Sequence, residues 1–196
     1  MTKRRLLFLG PLLFWIVSIG GFILIKQNHL SQGKAFYFKT APVDPRDIFR
    51  GDYVNLSYEI SNIRVDPLIM KVDDSVKNLR PGDTIYVMVT NDVPLYLNNE
   101  LKYTSRWYDI KTQSPLDGDF ITGRVESAFV DGNDVLDLRV KYGIESYFVP
   151  EHKGLEIEKS VGKDLYGKVI LDKNGVGLLD SLILNGEEIK FYVNPI

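Results

Sequence analysis

Four carboxylates stand where acid–base chemistry could be done: Asp47 and Asp52 in "PVDPRDIFRGDYVNLSYEI" (42–60), and Glu145 and Glu151 in "VKYGIESYFVPEHKG" (140–154). A carboxyl beside an apolar wall can have its pKa raised and act as a general acid. Two such groups roughly 5 to 10 Å apart in one cleft would serve glycoside hydrolysis. These four are therefore the weak catalytic candidates of a carboxylate-dependent envelope hydrolase acting on glycan or peptide. Other chemistries lack their parts. There is no cysteine, which removes disulfides, thiolate metal sites and a cysteine nucleophile. His29 and His152 stand far apart, without the i, i+4 spacing of a zinc helix. The pairs Asp73, Asp74 and Asp131, Asp134 do not follow calcium-loop spacing, and "DGND" is more economically a turn. No cofactor and no metal is expected.

The same two stretches read equally well as a binding surface. Pro42 and Pro45 keep the backbone extended, Asp44 and Asp47 can close turns, and Arg46 and Arg50 can pair with them. Gly51 can adopt a left-handed conformation and Asp52 can fix the entry to the strand that follows. In the second stretch Tyr142 and Tyr147 are large aromatics, and Gly143 interrupts a strand. The candidate contact or ligand surface is thus Asp44, Arg46, Asp47, Arg50, Asp52, Tyr53, Tyr142, Glu145, Tyr147 and Glu151. Arginine and tyrosine suit interface anchors better than bulk solvent.

The elements that must position these residues are mostly strands. Val54, Leu56, Tyr58 and Ile60 alternate with Tyr53, Asn55, Ser57 and Glu59, a period of two with one buried face. Thr84 to Val89 repeats that device. Hairpins are predicted around Asp131-Gly132, Asn174-Gly175 and Asn185-Gly186. Helical signal is confined to Gly154 to Lys163 and a turn within Pro67 to Leu79. Closely spaced turns without long helical patterns indicate an antiparallel β-sandwich or barrel-like domain.

Ahead of it, Leu6 to Ile25 is 20 residues without a charge. At about 1.5 Å per residue this reaches roughly 30 Å, the thickness of a bilayer's hydrocarbon. The chain therefore reads as mainly β, with an N-terminal stub and single transmembrane helix over residues 1–27, a cleaved signal peptide being the alternative, and an extracytoplasmic β-rich domain over 28–196. Lys3, Arg4 and Arg5 before the helix place the N-terminus inside and the rest outside the cytoplasmic membrane. Residues beyond 27 hold 20 basic against 26 acidic side chains, a balance of −6 that excludes the basic face nucleic acid requires.

The spacing from Pro45 to Val54 resembles the stretch after the nucleophile of membrane-anchored signal peptidases, but the place of their serine is taken by Pro42, so a serine mechanism loses its first step. A closer resemblance lies in "GDYVNLSY", where Gly51, Asp52, Tyr53, Leu56 and Tyr58 match the motif of the bacterial GDYXXLXY family. "VDPRDIFRGDY" and "YGIESYFVPE" resemble that family's approach to the motif and its second signature. The resemblance implies an anchored extracytoplasmic β-domain of unassigned activity that accompanies a multi-pass membrane protein. The expected function is a membrane-anchored accessory or interaction protein, with no enzymatic activity, contacting a membrane or envelope partner.

Overall fold

The computed structural model describes residues 3–41, 53–66, 73–97, 100–115, 117–148 and 164–189, and within the N-terminal helix the side chains of 10–24. The chain divides into two compact units, Met1–Gly33 and Lys34–Ile196.

The first unit holds helix α1 (Lys3–Gln32), which carries Pro11 within it. The transmembrane helix expected over Leu6 to Ile25 is corrected here: among the described residues no helix is long and apolar enough to cross a membrane. Gly10, Pro11, Ser18, Gly20 and Gly21 punctuate the apolar side chains of its described part. Large apolar side chains from Leu12 to Leu24 are nevertheless 54% to 67% exposed.

The second unit is built of antiparallel strands. One sheet has the order β12-β11-β10-β1-β3, from β1 (Lys34–Ala41), β3 (Ser57–Tyr58), β10 (Leu165–Leu171), β11 (Gly177–Leu184) and β12 (Glu187–Ile189). The other has the order β4-β8-β7-β5-β6, from β4 (Asn62–Val65), β5 (Thr84–Leu97), β6 (Glu100–Lys111), β7 (Phe120–Val130) and β8 (Leu136–Lys141). A two-stranded ribbon pairs β2 (Tyr53–Asn55) with β9 (Ser146–Phe148). The architecture is a curled half-barrel. Residues of both sheets, among them Phe38, Val87, Ile121, Leu138, Leu165 and Leu182, form one continuous hydrophobic core.

The turns follow from their residues. Asn185 and Gly186 have φ of 52° and 82°, the two left-handed positions of a type I′ hairpin, and Leu184 faces Glu187 across it. The loops "DGNDV" and "DKNGV" share one construction. Asp131 Oδ1 accepts from the backbone N–H of Asn133 and Val135 at 2.8 and 3.0 Å, and Asp172 Oδ1 accepts from Asn174 and Val176, both at 2.8 Å. The fourth position is left-handed in each, Asp134 at 61° and Gly175 at 72°. These aspartates are committed to backbone amides as Asx turns.

Two expectations are revised in detail. The strand read as continuous from Val54 to Ile60 breaks into β2, β3 and a 3-10 turn over Glu59–Ser61, although Val54, Leu56, Tyr58 and Ile60 all stay buried. The strand begun at Thr84 continues to Leu97, through Pro94. Proline is tolerated there because β7 pairs with β5 only over Thr84 to Met88, so Pro94 has a partner strand, β6, on one side alone. The helical signal within Pro67 to Leu79 is one turn, α2 (Asp74–Lys77), capped where Asp73 Oδ1 accepts from Ser75 N–H at 3.2 Å. Gly154 to Lys163 lies outside the described residues.

The β10–β11 loop also ties the two sheets together, since Thr122 N–H of β7 donates to the Gly175 carbonyl at 2.8 Å. A Cβ at Gly175 would stand 2.5 to 2.8 Å from Phe120, whereas one at Gly132 meets nothing within 4 Å. Gly175→Ala is therefore expected to lower stability by about 1–3 kcal/mol. Gly132→Ala should stay within about 0.5 kcal/mol of wild type; urea unfolding of the two full-length variants checks the contrast.

Candidate functional site

The two motif-bearing stretches meet in the β2–β9 ribbon. Tyr53, Val54 and Asn55 face Phe148, Tyr147 and Ser146 in antiparallel register. Just beyond it, Leu56 N–H donates to the Glu145 carbonyl at 2.6 Å.

Two tyrosines then cross-link the stretches from opposite directions. Tyr58 is fully buried, and its hydroxyl donates to the Ile144 carbonyl at 3.0 Å. Tyr142 is 7% exposed, and its hydroxyl donates to the Ile60 carbonyl at 2.6 Å. Each phenol thus satisfies a carbonyl two residues past the other tyrosine. Each ring also lies against a glycine of another strand, Gly167 of β10 for Tyr58 and Gly123 of β7 for Tyr142. A methyl added at Gly167 would stand 2.8 Å from Tyr58, and one at Gly123 would stand 2.8 and 2.9 Å from the Tyr142 ring. Glycine leaves room for the ring at both places.

Glu145 shapes the bend between β8 and β9. Its Oε1 accepts from Tyr142 N–H at 2.6 Å and its Oε2 from Gly143 N–H at 2.9 Å, while Gly143 takes a φ of 80°. Burial, and secondarily the nearby Glu145 charge, push the pKa of both Tyr58 and Tyr142 well above the ordinary phenol value. Both phenols are held neutral as donors.

Of the residues singled out in the sequence, Tyr53, Tyr142, Glu145 and Tyr147 are brought together here. Tyr147 is half-buried, and its hydroxyl reaches the Ile189 carbonyl at 3.4 Å. Asp44, Arg46, Asp47, Arg50, Asp52 and Glu151 lie outside the described residues. Of the four carboxylates considered for acid–base work, Glu145 alone is described, and both of its oxygens are occupied by backbone amides. Among the described residues no group of three or more His, Asp or Glu could hold a metal ion.

Sequence reasoning placed Tyr58 on the core face but missed its hydroxyl's partner, and it missed Gly123 and Gly167 altogether. The signal available was the Tyr-x-Ile spacing, present at Tyr58-Glu59-Ile60 and again at Tyr142-Gly143-Ile144. It also missed a polar network on β10–β12. Lys168 Nζ lies 2.9 Å from Asp180 and 3.2 Å from Glu188, and Ser181 Oγ stands 2.6 Å from Glu188. Burial lowers the Lys168 pKa, but hydrogen bonds to the two carboxylates outweigh it and leave it raised. An ammonium so held does not act as a base near neutrality.

Fold and site together define a mainly antiparallel β-protein whose two signature stretches clasp one another. The chain belongs to the GDYXXLXY protein family, whose family model matches residues 15–182. No curated protein and no solved structure matches it.

Removing either hydroxyl leaves a buried carbonyl unpaired, so Tyr58→Phe and Tyr142→Phe are each expected to lose about 1–3 kcal/mol in urea unfolding. The pH dependence has a definite sign. An unfolded tyrosine ionises near 10.0, whereas these two hold their protons higher in the fold. Their contribution is complete below about pH 10 and is lost as pH rises above it, by roughly 1.4 kcal/mol per pH unit for each residue. Unfolding midpoints measured from pH 9 to 11 should fall steeply for wild type and less steeply for the Tyr58→Phe/Tyr142→Phe double variant.

Proposed function

We propose that this is a non-enzymatic accessory protein whose β-domain binds a partner protein at the extracytoplasmic face of the cytoplasmic membrane, the partner being a multi-pass membrane protein. The observation that carries this reading is how the reactive side chains of the ribbon are used. Glu145, Tyr58 and Tyr142 have their polar atoms committed to the backbone, which favours a preorganised binding surface over a reactive cleft where these residues meet. Phe148, 38% exposed on β9, is an apolar group on that surface. Exposed aromatics on a preorganised strand are the usual anchors of protein interfaces. The exposed apolar side chains of α1 support a membrane location.

A photo-crosslinking side chain introduced at Phe148, or at Arg46 in the first stretch, tests this in cells. One discrete adduct with a membrane protein is expected from both positions, and it should be absent when the label sits at exposed Glu126. Recovery of uncrosslinked monomer alone from both positions would sink the reading.

A further inference from the structure

A second surface lies on the outer face of β4, β8 and β7. Strand register places Asn62 opposite Arg139 and Arg139 opposite Ser127, so an amide, a guanidinium and a hydroxyl form one row across three adjacent strands. The next row is Arg64, Asp137 and Phe129. The two rows line a groove of about 290 Å³. Its shape has a local cause: the β7–β8 register shifts between Val125 and Ser127, and such a bulge bends the strand and re-aims its side chains.

The groove's donors lack acceptors. Among the described residues, the side chains of Asn62, Ser127 and Arg139 have no hydrogen-bond or ion-pair partner. Arg64 is only loosely held, 3.6 Å from Asp131 and 3.9 Å from Asp137, with its side chain 68% exposed. By contrast, the neighbouring Lys141 is closed against Glu126 at 2.6 Å. Phe129, 66% exposed, supplies an apolar wall beside the free guanidinium.

We propose that this groove binds a carboxylate-bearing, extended segment of a partner protein, with Arg139 taking the carboxylate, Asn62 and Ser127 adding neutral donors and Phe129 packing on the adjoining side chain. Charge decides for a carboxylate over a phosphate. Arg64 stands near Asp137 in the groove and Asp131 at its rim, which leaves Arg139 as the one guanidinium without a carboxylate and matches a single negative charge better than the two of a phosphate. The planar fork of arginine also matches a carboxylate through two parallel hydrogen bonds. The segment lies along β4, which among the described strands pairs with β8 alone. This inference rests on the reading of the β-domain as an interaction module and names one of its contacts.

The test uses the full-length protein and a fluorescein-labelled dodecapeptide of alternating Glu and Val, read by anisotropy, with a Lys-Val peptide of the same length as comparison. The Glu peptide is expected to bind and the Lys peptide not to. Arg139→Gln should weaken binding at least about fivefold, and Phe129→Ala about threefold. Arg124→Gln, on the same sheet but outside the groove, should leave it within about twofold. Equal losses from Arg124→Gln and Arg139→Gln would mean diffuse attraction and overturn the proposal. Binding to phosphatidylglycerol vesicles or inorganic phosphate that depends on Arg139, with none to the Glu peptide, would overturn the carboxylate assignment. If Arg139→Gln has no effect while the Phe148 crosslink persists, this contact is wrong and the interaction reading survives. Loss of the crosslink with peptide binding intact points the other way.

Discussion

Two buried phenol groups and two backbone carbonyls hold the centre of this molecule. Tyr58 donates to Ile144 and Tyr142 donates to Ile60, so each of the two signature stretches completes the hydrogen bonding of the other. The alternative to such a bond inside a core is a desolvated carbonyl without a partner, which costs more than an ordinary hydrogen bond contributes. The consequence is cooperative. Neither stretch can take its folded form alone, because the acceptor each tyrosine needs is supplied by residues some 80 positions away. The β2–β9 pairing and the Leu56 to Glu145 bond lie in the same crossing, and Glu145 sets the bend that presents the Ile144 carbonyl.

This constraint explains why residue types associated with chemistry crowd the described part of these stretches. A carboxylate is well suited to gather two adjacent N–H groups at a bend, and Glu145 does so with both oxygens. A tyrosine is large enough to fill core volume while its hydroxyl reaches a carbonyl. The glycines complete the fit, since Gly123 and Gly167 let the rings approach their strands. Asp131 and Asp172 follow the same logic in the hairpin loops, where one oxygen of each gathers two backbone amides.

Local patterns were the legible part. Alternation along Val54 to Ile60 marked the buried face correctly even though the strand itself is broken, because burial depends on which way a side chain points and survives a kink. The Asn-Gly pairs marked hairpins because their glycines take the positive φ the turn demands, whereas in the Asp131-Gly132 loop that conformation falls on Asp134. The extent of β5 was not legible: Pro94 argues against a strand until it is known that one side of that strand has no neighbour. The polar row Asn62, Arg139 and Ser127 is invisible in sequence for a related reason. Its members come from three strands, and the bulge that aligns them is a property of pairing between chains of residues far apart. The apolar run at the N-terminus was legible as a helix, α1, but not as a membrane span, since among the described residues no helix is long and apolar enough to cross.

The repeated devices point to a hidden order in the domain. Tyr-x-Ile occurs twice with exchanged partners, each tyrosine lies on a glycine, and each glycine precedes a basic residue and a valine: Gly123-Arg124-Val125 and Gly167-Lys168-Val169. Each of these strands ends in an Asp-x-Asn loop of the same hydrogen bonding. Yet no constant period connects them, because Asp131 comes eight residues after Gly123 and Asp172 only five after Gly167. The bulge and the longer arm of β7 account for that difference. The β7–β8 and β10–β11 hairpins thus share local devices, one packing on the ring of Tyr142 and the other on that of Tyr58. Their outer faces differ, since β7–β8 carries the open groove at Arg139 while Lys168 on β10 is held by Asp180 and Glu188. Function in such a fold is free to diverge on those faces, where packing exerts little constraint.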